Sequence, residues 1–331
     1  MRIVIDKAIP YIKGILEPFA EVIYREGTLI TPREVIDADV LIIRTRTRCD
    51  KALLAGSRVK LIATATIGFD HIDLKYCATH GIDVVTAAGC NAAGVLQWVA
   101  ATLALLCEKE GWQPHERTLG IVGVGNVGSL VERYARRWDF QVLCCDPPRK
   151  EREGGNFLPL EEVAERADII TFHTPLDSTT FHLINEQLIE RIPRHSTIIN
   201  ASRGEVASTE ALLGAPQRIC LDVWEGEPNI NLSLLEKAFI ATPHIAGYSA
   251  QGKANASSMV VQAIARKFDL PLKTWYPSEV QRIERRAIDW DQMRQSIVQY
   301  CDLKEQTAQL QHHSSDFESF RNNYHYREEY F

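Results

Sequence analysis

Short apolar runs alternate with amphipathic stretches over roughly the first 270 residues. The runs at 3–5, 22–24, 40–43, 61–63 and 84–85 are apolar throughout, and several are bounded by Gly, Pro or Asp. Strands buried on both faces of a parallel sheet read as continuous runs of this kind. A longer helical pattern spans 95–110 and stops at Gly111, a residue suited to the left-handed turn after a helix. A second series then begins, with strands predicted at 119–123, 142–145, 169–172, 197–200, 219–222 and 239–241. Helices are predicted between them near 127–138, 160–166, 187–192 and 209–213, and a long one at 250–267. The alternation predicts an α/β fold built on open parallel sheets with helices on their faces. From about residue 280 the chain turns charged, glutamine-rich and aromatic. That stretch is too apolar in places for a free linker, so it reads as a short C-terminal element for self-association.

With 331 residues the chain is long enough for two cores, since single cores rarely grow past ~250–300 residues. A formal charge of −6 gives no reason to expect nucleic acid or a membrane surface as partner. The eight cysteines include no C-x-x-C pair, so a zinc ribbon or thioredoxin-type site is not indicated and no metal is expected. No stretch approaches the ~18 consecutive apolar residues of a membrane span. The opening run reads as a strand rather than a leader. Reduced thiols and a cytoplasmic location are the expectation.

The candidate chemistry begins at Gly123-Val-Gly-Asn-Val-Gly128, which follows a predicted strand and opens a predicted helix. Gly123 permits a tight turn, Gly125 lets a pyrophosphate approach the backbone, and Gly128 lets the helix pack closely on the strand. Asn126 and Val127 complete the loop, and the helix N-terminus offers N–H groups and a positive dipole to phosphate. Asp146 ends the next strand, where a carboxylate binds the ribose 2′-hydroxyl and repels a 2′-phosphate. NAD is therefore favoured over NADP, with nearby Arg149 as the complication.

Three further segments each follow a strand, at the carboxyl edge where open α/β sheets bind ligands. They carry Arg203, Glu227 and His244. Oxidising a hydroxy acid needs a cation for the carboxylate, a base for the hydroxyl proton, and a partner for the protonated base. Arg203 suits the first through its fork geometry, His244 the second, and Glu227 the third. Each alone could be a surface or loop residue. Their joint occurrence downstream of a dinucleotide loop makes that reading poor.

The order of these motifs resembles the D-2-hydroxyacid dehydrogenase family. The matching stretches include Ser202-Arg203-Gly204, Leu221-Asp-Val-Trp-Glu-Gly-Glu-Pro228 and His244-Ile-Ala-Gly-Tyr248. Within the family the likeness is to a subgroup acting on a four-carbon phosphorylated acid, and it covers roughly 1–270. The resemblance implies two Rossmann-like or flavodoxin-like, doubly wound domains with a cleft between them. The substrate domain would be 1–92 completed by 249–278, the NAD-binding domain 93–248, and the dimerisation element 279–331. It places Arg203, Glu227 and His244 on catalytic positions, and Thr174, Ala201, Ser202, Arg203, Asp222 and Gly247 on cofactor contacts. Thr45, Thr66 and Tyr248 fall on substrate contacts. The C-terminal region looks considerably shorter than in the subgroup, and Ser208 stands where the family usually has Asp.

A phosphorylated substrate needs a second anion site. Arg44-Thr-Arg46-Thr-Arg48 follows the third strand, and alternation in an extended run would put its three arginines on one face. A solvated basic edge is the competing reading, and Lys253, on the turn after Tyr248, could contribute. The expected partners are a small phosphorylated 2-hydroxy acid and a second copy of the chain. A 3-phosphoglycerate dehydrogenase and an NAD-sensing binding protein remain alternatives.

Overall fold

The computed structural model describes residues 1–331. It divides into two units, one of Met1–Asn91 with Ser249–Ile283, the other of Ala92–Tyr248 with Glu284–Phe331. The first contains strands β1 (Arg2–Asp6), β2 (Glu21–Arg25), β3 (Val40–Ile43), β4 (Leu61–Thr64) and β5 (Asp83–Thr86). They pair in parallel in the order β2-β1-β3-β4-β5. The order reverses beside β1, so the carboxyl ends of β1 and β3 flank a switch point.

The second unit contains β6 (Thr118–Val122), β7 (Gln141–Cys145), β8 (Ile169–Phe172), β9 (Thr197–Asn200), β10 (Arg218–Leu221) and β11 (Ile240–Ala241). Again every pairing is parallel, in the order β11-β10-β9-β8-β6-β7. Both sheets are parallel throughout, as the run pattern predicts, and doubly wound, as the resemblance implies.

Burial on both faces accounts for the unbroken apolar runs. In β8, Ile169 joins one core cluster and Ile170 the opposite one, because successive side chains point to opposite faces. The Ala92–Glu110 helix covers the first face with Leu96, Trp98, Val99 and Leu103. By length and composition this helix could cross a membrane, although the sequence pattern suggested that no segment could. Most of it is buried against the sheet, and it is apolar all round for that reason. On the other face Gly120 lets the Leu160–Arg166 helix approach, since a Cβ there would sit 2.6 Å from Val163 Cγ1.

Residues 284–331 fold with the second unit. Trp290, Met293, Ile297, Cys301, Leu303 and Phe331 enter one core cluster, Leu310 and Phe317 the other. Helix Leu303–His312 lies along the edge strand β11, where Thr307 Oγ1 accepts the Ala241 N–H at 3.1 Å. An edge N–H that would otherwise face outward is thereby satisfied. The tail aromatics are used within the chain as well, Tyr330 stacking on Tyr300 at 4.0 Å.

Candidate active site

Gly123 leaves β6 with φ +84°, and a Cβ on it would stand 2.7 Å from His173 O. A Cβ on Gly128 would stand 2.0 Å from Gly123 O, so turn and helix start pack backbone on backbone. Gly125 has open space above it, and both Gly125 and Asn126 are exposed. Val127 puts no side chain on the N-terminus of the Gly128–Arg137 helix. The loop thus offers bare backbone where a pyrophosphate would lie, and it fits the predicted cofactor.

Asp146 accepts the Val124 N–H on Oδ2 at 2.7 Å and the Arg149 N–H on Oδ1 at 2.9 Å. Each oxygen keeps a lone pair for a ribose hydroxyl. Arg149, the complication for NAD, is occupied. Its guanidinium donates to Glu153 at 2.8 and 3.0 Å and to Val124 O at 2.7 Å, and lies over the Phe157 ring. Thr174, after β8, keeps a buried hydroxyl with no partner, which a bound nicotinamide nucleotide could use. Its neighbour His173 is half-buried, and desolvation alone pulls its pKa down to about 3, so it stays neutral.

The loop after β9 is shaped by Asn200, a residue the sequence did not single out. Its Oδ1 accepts the Ser202 N–H and hydroxyl, and its Nδ2 donates to Arg203 O at 2.9 Å. Ala201 and Ser202 lie on this turn, and the Arg203 guanidinium folds back to Ser202 O at 2.7 Å. Gly204 then meets the next loop, where a Cβ would fall 2.0 Å from Trp224 O. Ser208 caps the following Thr209–Gly214 helix, a task an aspartate would perform equally well.

Asp222 follows β10 and is wholly buried. Its oxygens accept the Thr242 hydroxyl at 2.6 Å and the Ile245 and Ala246 N–H groups at 2.8 and 2.9 Å. Burial pushes its pKa up, against the pull of His244, Thr242 and the two N–H groups. Expected as a cofactor contact, Asp222 spends these bonds on organising the loop after β11. That loop carries His244, held with φ +58° by its N–H to Asp222 O at 2.7 Å. His244 Nδ1 lies 2.8 Å from Glu227 Oε2, and Glu227 Oε1 accepts the Trp224 N–H at 2.9 Å. Burial raises the Glu227 pKa, but the His244 bond and charge, the Trp224 N–H and the Arg321 charge outweigh it. The carboxyl is held below its ordinary value. With Nδ1 engaged, Nε2 is the nitrogen left for proton exchange. Gly247 and Tyr248 continue the same loop.

Two further residues reach this loop and escaped the sequence reading. Arg321 contacts Glu227 and Tyr248, and Arg327 contacts the carbonyls of Ile245 and Ala246. Both lie in the charged, aromatic tail, whose pattern matches no motif. Only their density of Arg and Tyr could have drawn attention.

In the first unit, 44–48 is a turn rather than an extended run, with the Thr47 N–H bonded to Arg44 O. The expected alternation of Arg44, Arg46 and Arg48 on one face therefore does not hold. Arg44 is half-buried and reaches Ala8 O at 3.4 Å, Thr45 and Arg46 are exposed, and Arg48 pairs with Asp50. The turn follows β3 beside the switch point. Thr66 follows β4, its hydroxyl 2.6 Å from Thr64 Oγ1. Lys253, expected on a turn, lies in the first turn of the Ala250–Lys267 helix.

The family model for the D-isomer specific 2-hydroxyacid dehydrogenase NAD binding domain matches residues 97–246. An erythronate-4-phosphate dehydrogenase of Bacteroides fragilis (strain YCH46) is 46% identical over 340 residues, covering 99% of this chain and 97% of the relative. One from Shigella dysenteriae serotype 1 (strain Sd197) is 38% identical over 349 residues, with coverage of 100% and 92%. With 99% and 100% of this chain covered, the likeness extends through its C-terminal region. A cofactor (NAD+)-bound 3-phosphoglycerate dehydrogenase of Entamoeba histolytica superposes with TM-score 0.67 at 26% identity, covering 86% of this chain and 99% of that one. A D-lactate dehydrogenase of Aquifex aeolicus, complexed with NAD and lactic acid, has TM-score 0.66 at 23% identity, with coverage of 83% and 97%. This second structure shares the fold.

Proposed function

Because the chain belongs to the erythronate-4-phosphate dehydrogenases, within the D-isomer specific 2-hydroxyacid dehydrogenase family, we propose the following course for its reaction. The protein is an NAD-dependent dehydrogenase, and it oxidises 4-phospho-D-erythronate at C2 to 2-oxo-3-hydroxy-4-phosphobutanoate. The Gly123–Gly128 loop and Asp146 would hold NAD, which would supply the acceptor for the hydride from C2. His244 Nε2 removes the 2-hydroxyl proton, and Glu227, bonded to Nδ1, orients the ring and stabilises the imidazolium that results. Arg203 turns its fork from Ser202 O to the substrate carboxylate. Thr174, Ala201, Ser202 and Gly247 line the cofactor, and Asp222 supports them from below. Thr45, Thr66 and Tyr248 contact the substrate, and Arg44 and Arg46 receive its phosphate.

The observation carrying this assignment is the 2.8 Å contact of His244 Nδ1 with Glu227, on strand-end loops of the dinucleotide-binding unit. NADH formation at alkaline pH, with a panel of phosphorylated and plain 2-hydroxy acids, tests it. Turnover should be best on the four-carbon phosphorylated acid. Preference for 3-phosphoglycerate, or turnover of none, would overturn the substrate assignment. The same preparation bears on assembly, which we propose to be a homodimer. The exposed Val298 on the C-terminal element supports it, and a monomeric mass at micromolar concentration would end it.

A further inference from the structure

The tail grips the catalytic loop at several points. Arg327 is buried and donates to Gly94 O at 2.7 Å, to Ile245 O at 3.0 Å and to Ala246 O. The Tyr324 and Tyr326 rings meet Tyr248 edge-on, at 6.2 and 6.1 Å. Arg321 goes further, to the polar atoms themselves. Its Nε donates to Tyr248 OH at 3.3 Å, and its Nη1 lies 3.5 Å from Glu227 Oε2, the oxygen that also meets His244.

We propose that Arg321 is a positioning residue of the dehydrogenase, coupling Glu227 and Tyr248 so that the His244–Glu227 pair and the tyrosine hold one fixed arrangement. The proposal rests on His244 being the acid–base group. Without Arg321 the carboxylate is fixed by the Trp224 N–H on one oxygen and by the imidazole on the other. That imidazole changes charge during every turnover, so its grip on Glu227 changes too. A guanidinium always carries its proton and keeps the shared oxygen in place in both halves of the cycle. With a side chain only 29% exposed, Arg321 needs the partners it has.

Asp222, Tyr248 and Arg321 surround the pair, and the Arg321 charge adds to the His244 bond and the Trp224 N–H in holding the Glu227 carboxyl below its ordinary value, against its burial.

Kinetics on the full-length protein with R321M, R321K and H244N, each with an NADH titration and a melting curve, separate the possibilities. R321M should lose about 10- to 100-fold in kcat, as expected for a displaced catalytic pair, with unchanged NADH affinity. The loss should fall on kcat more than on KM. R321K should recover part of kcat, since one ammonium cannot fork to both partners. R321M with normal kcat, beside an inactive H244N, overturns the proposal and leaves the reaction intact. So does a loss in R321M that follows melting alone, with R321K no better than R321M. An active H244N would overturn the assignment of the base and this proposal with it.

Discussion

His244 occupies a backbone conformation that few side chains accept. At φ +58° a β-branched residue would clash with its own carbonyl, whereas His, Asn and Asp are enriched there. The turn directs the ring toward Glu227, so strain and chemistry fall on one residue, as they often do at active sites. This sets the choice of test. His244→Asn retains a residue suited to the left-handed turn and removes the titrating ring, so its effect reports proton transfer rather than a disturbed loop. Turnover should fall by ~10²–10⁴-fold, the usual contribution of a general acid–base group. Fluorescence titration should show NADH binding within a few-fold of the parent. A variant that keeps near-normal turnover would mean that another group takes the proton.

At the scale of elements, the dinucleotide loop depends on contacts of different severity. A methyl on Gly128 would meet Gly123 O at 2.0 Å, a backbone atom that cannot swing aside, whereas Gly125 has nothing within 4 Å. Gly128→Ala should therefore weaken NADH binding at least tenfold by forcing strand end and helix start apart. Gly125→Ala leaves the free protein undisturbed and opposes only the ligand. Melting curves without cofactor should separate them, with G128A destabilised and G125A like the parent; equal melting would refute this account of the glycines. These glycines were legible because a tight turn leaves a mark in composition, and β8 and β9 because strands buried on both faces read as unbroken apolar runs. The short helix Pro147–Glu153 was not legible, since its sequence is charged and its start is set by Asp146 capping the Arg149 N–H. Nor was the 44–48 turn, where polar alternation suggested a strand and the Thr47 hydroxyl bonds Gly27 O instead. Arg321 and Arg327 were illegible for a different reason. Their partners on the catalytic loops lie more than 70 residues away in sequence, and no local pattern encodes such contacts.

Over the whole chain, the eight cysteines report on how firmly each core is closed. All are buried, and none forms a disulfide. Burial pushes the thiols of Cys49, Cys144 and Cys220 up to about 12 and that of Cys145 to about 11, far from the thiolate form that reacts. A thiol reagent near neutral pH should thus find almost nothing to modify in the native protein and eight groups after unfolding. The rate of modification then measures opening of the core. Phe331 offers a way to vary it. It is 1% exposed in the cluster that contains Cys144 and Cys301, with its ring 5.2 Å from Tyr134 and 6.1 Å from Trp138. Phe331→Ala removes a large side chain from a close-packed site, a change that typically costs about 3–5 kcal/mol. The variant should melt several degrees lower, and the thiols of its unit should react faster, by a factor that matches the loss of stability. Cys49 and Cys77 lie in a cluster of the other unit, so their rates tell whether the two units open together. If Phe331→Ala melts and reacts like the parent, the tail is a surface attachment and not part of the core.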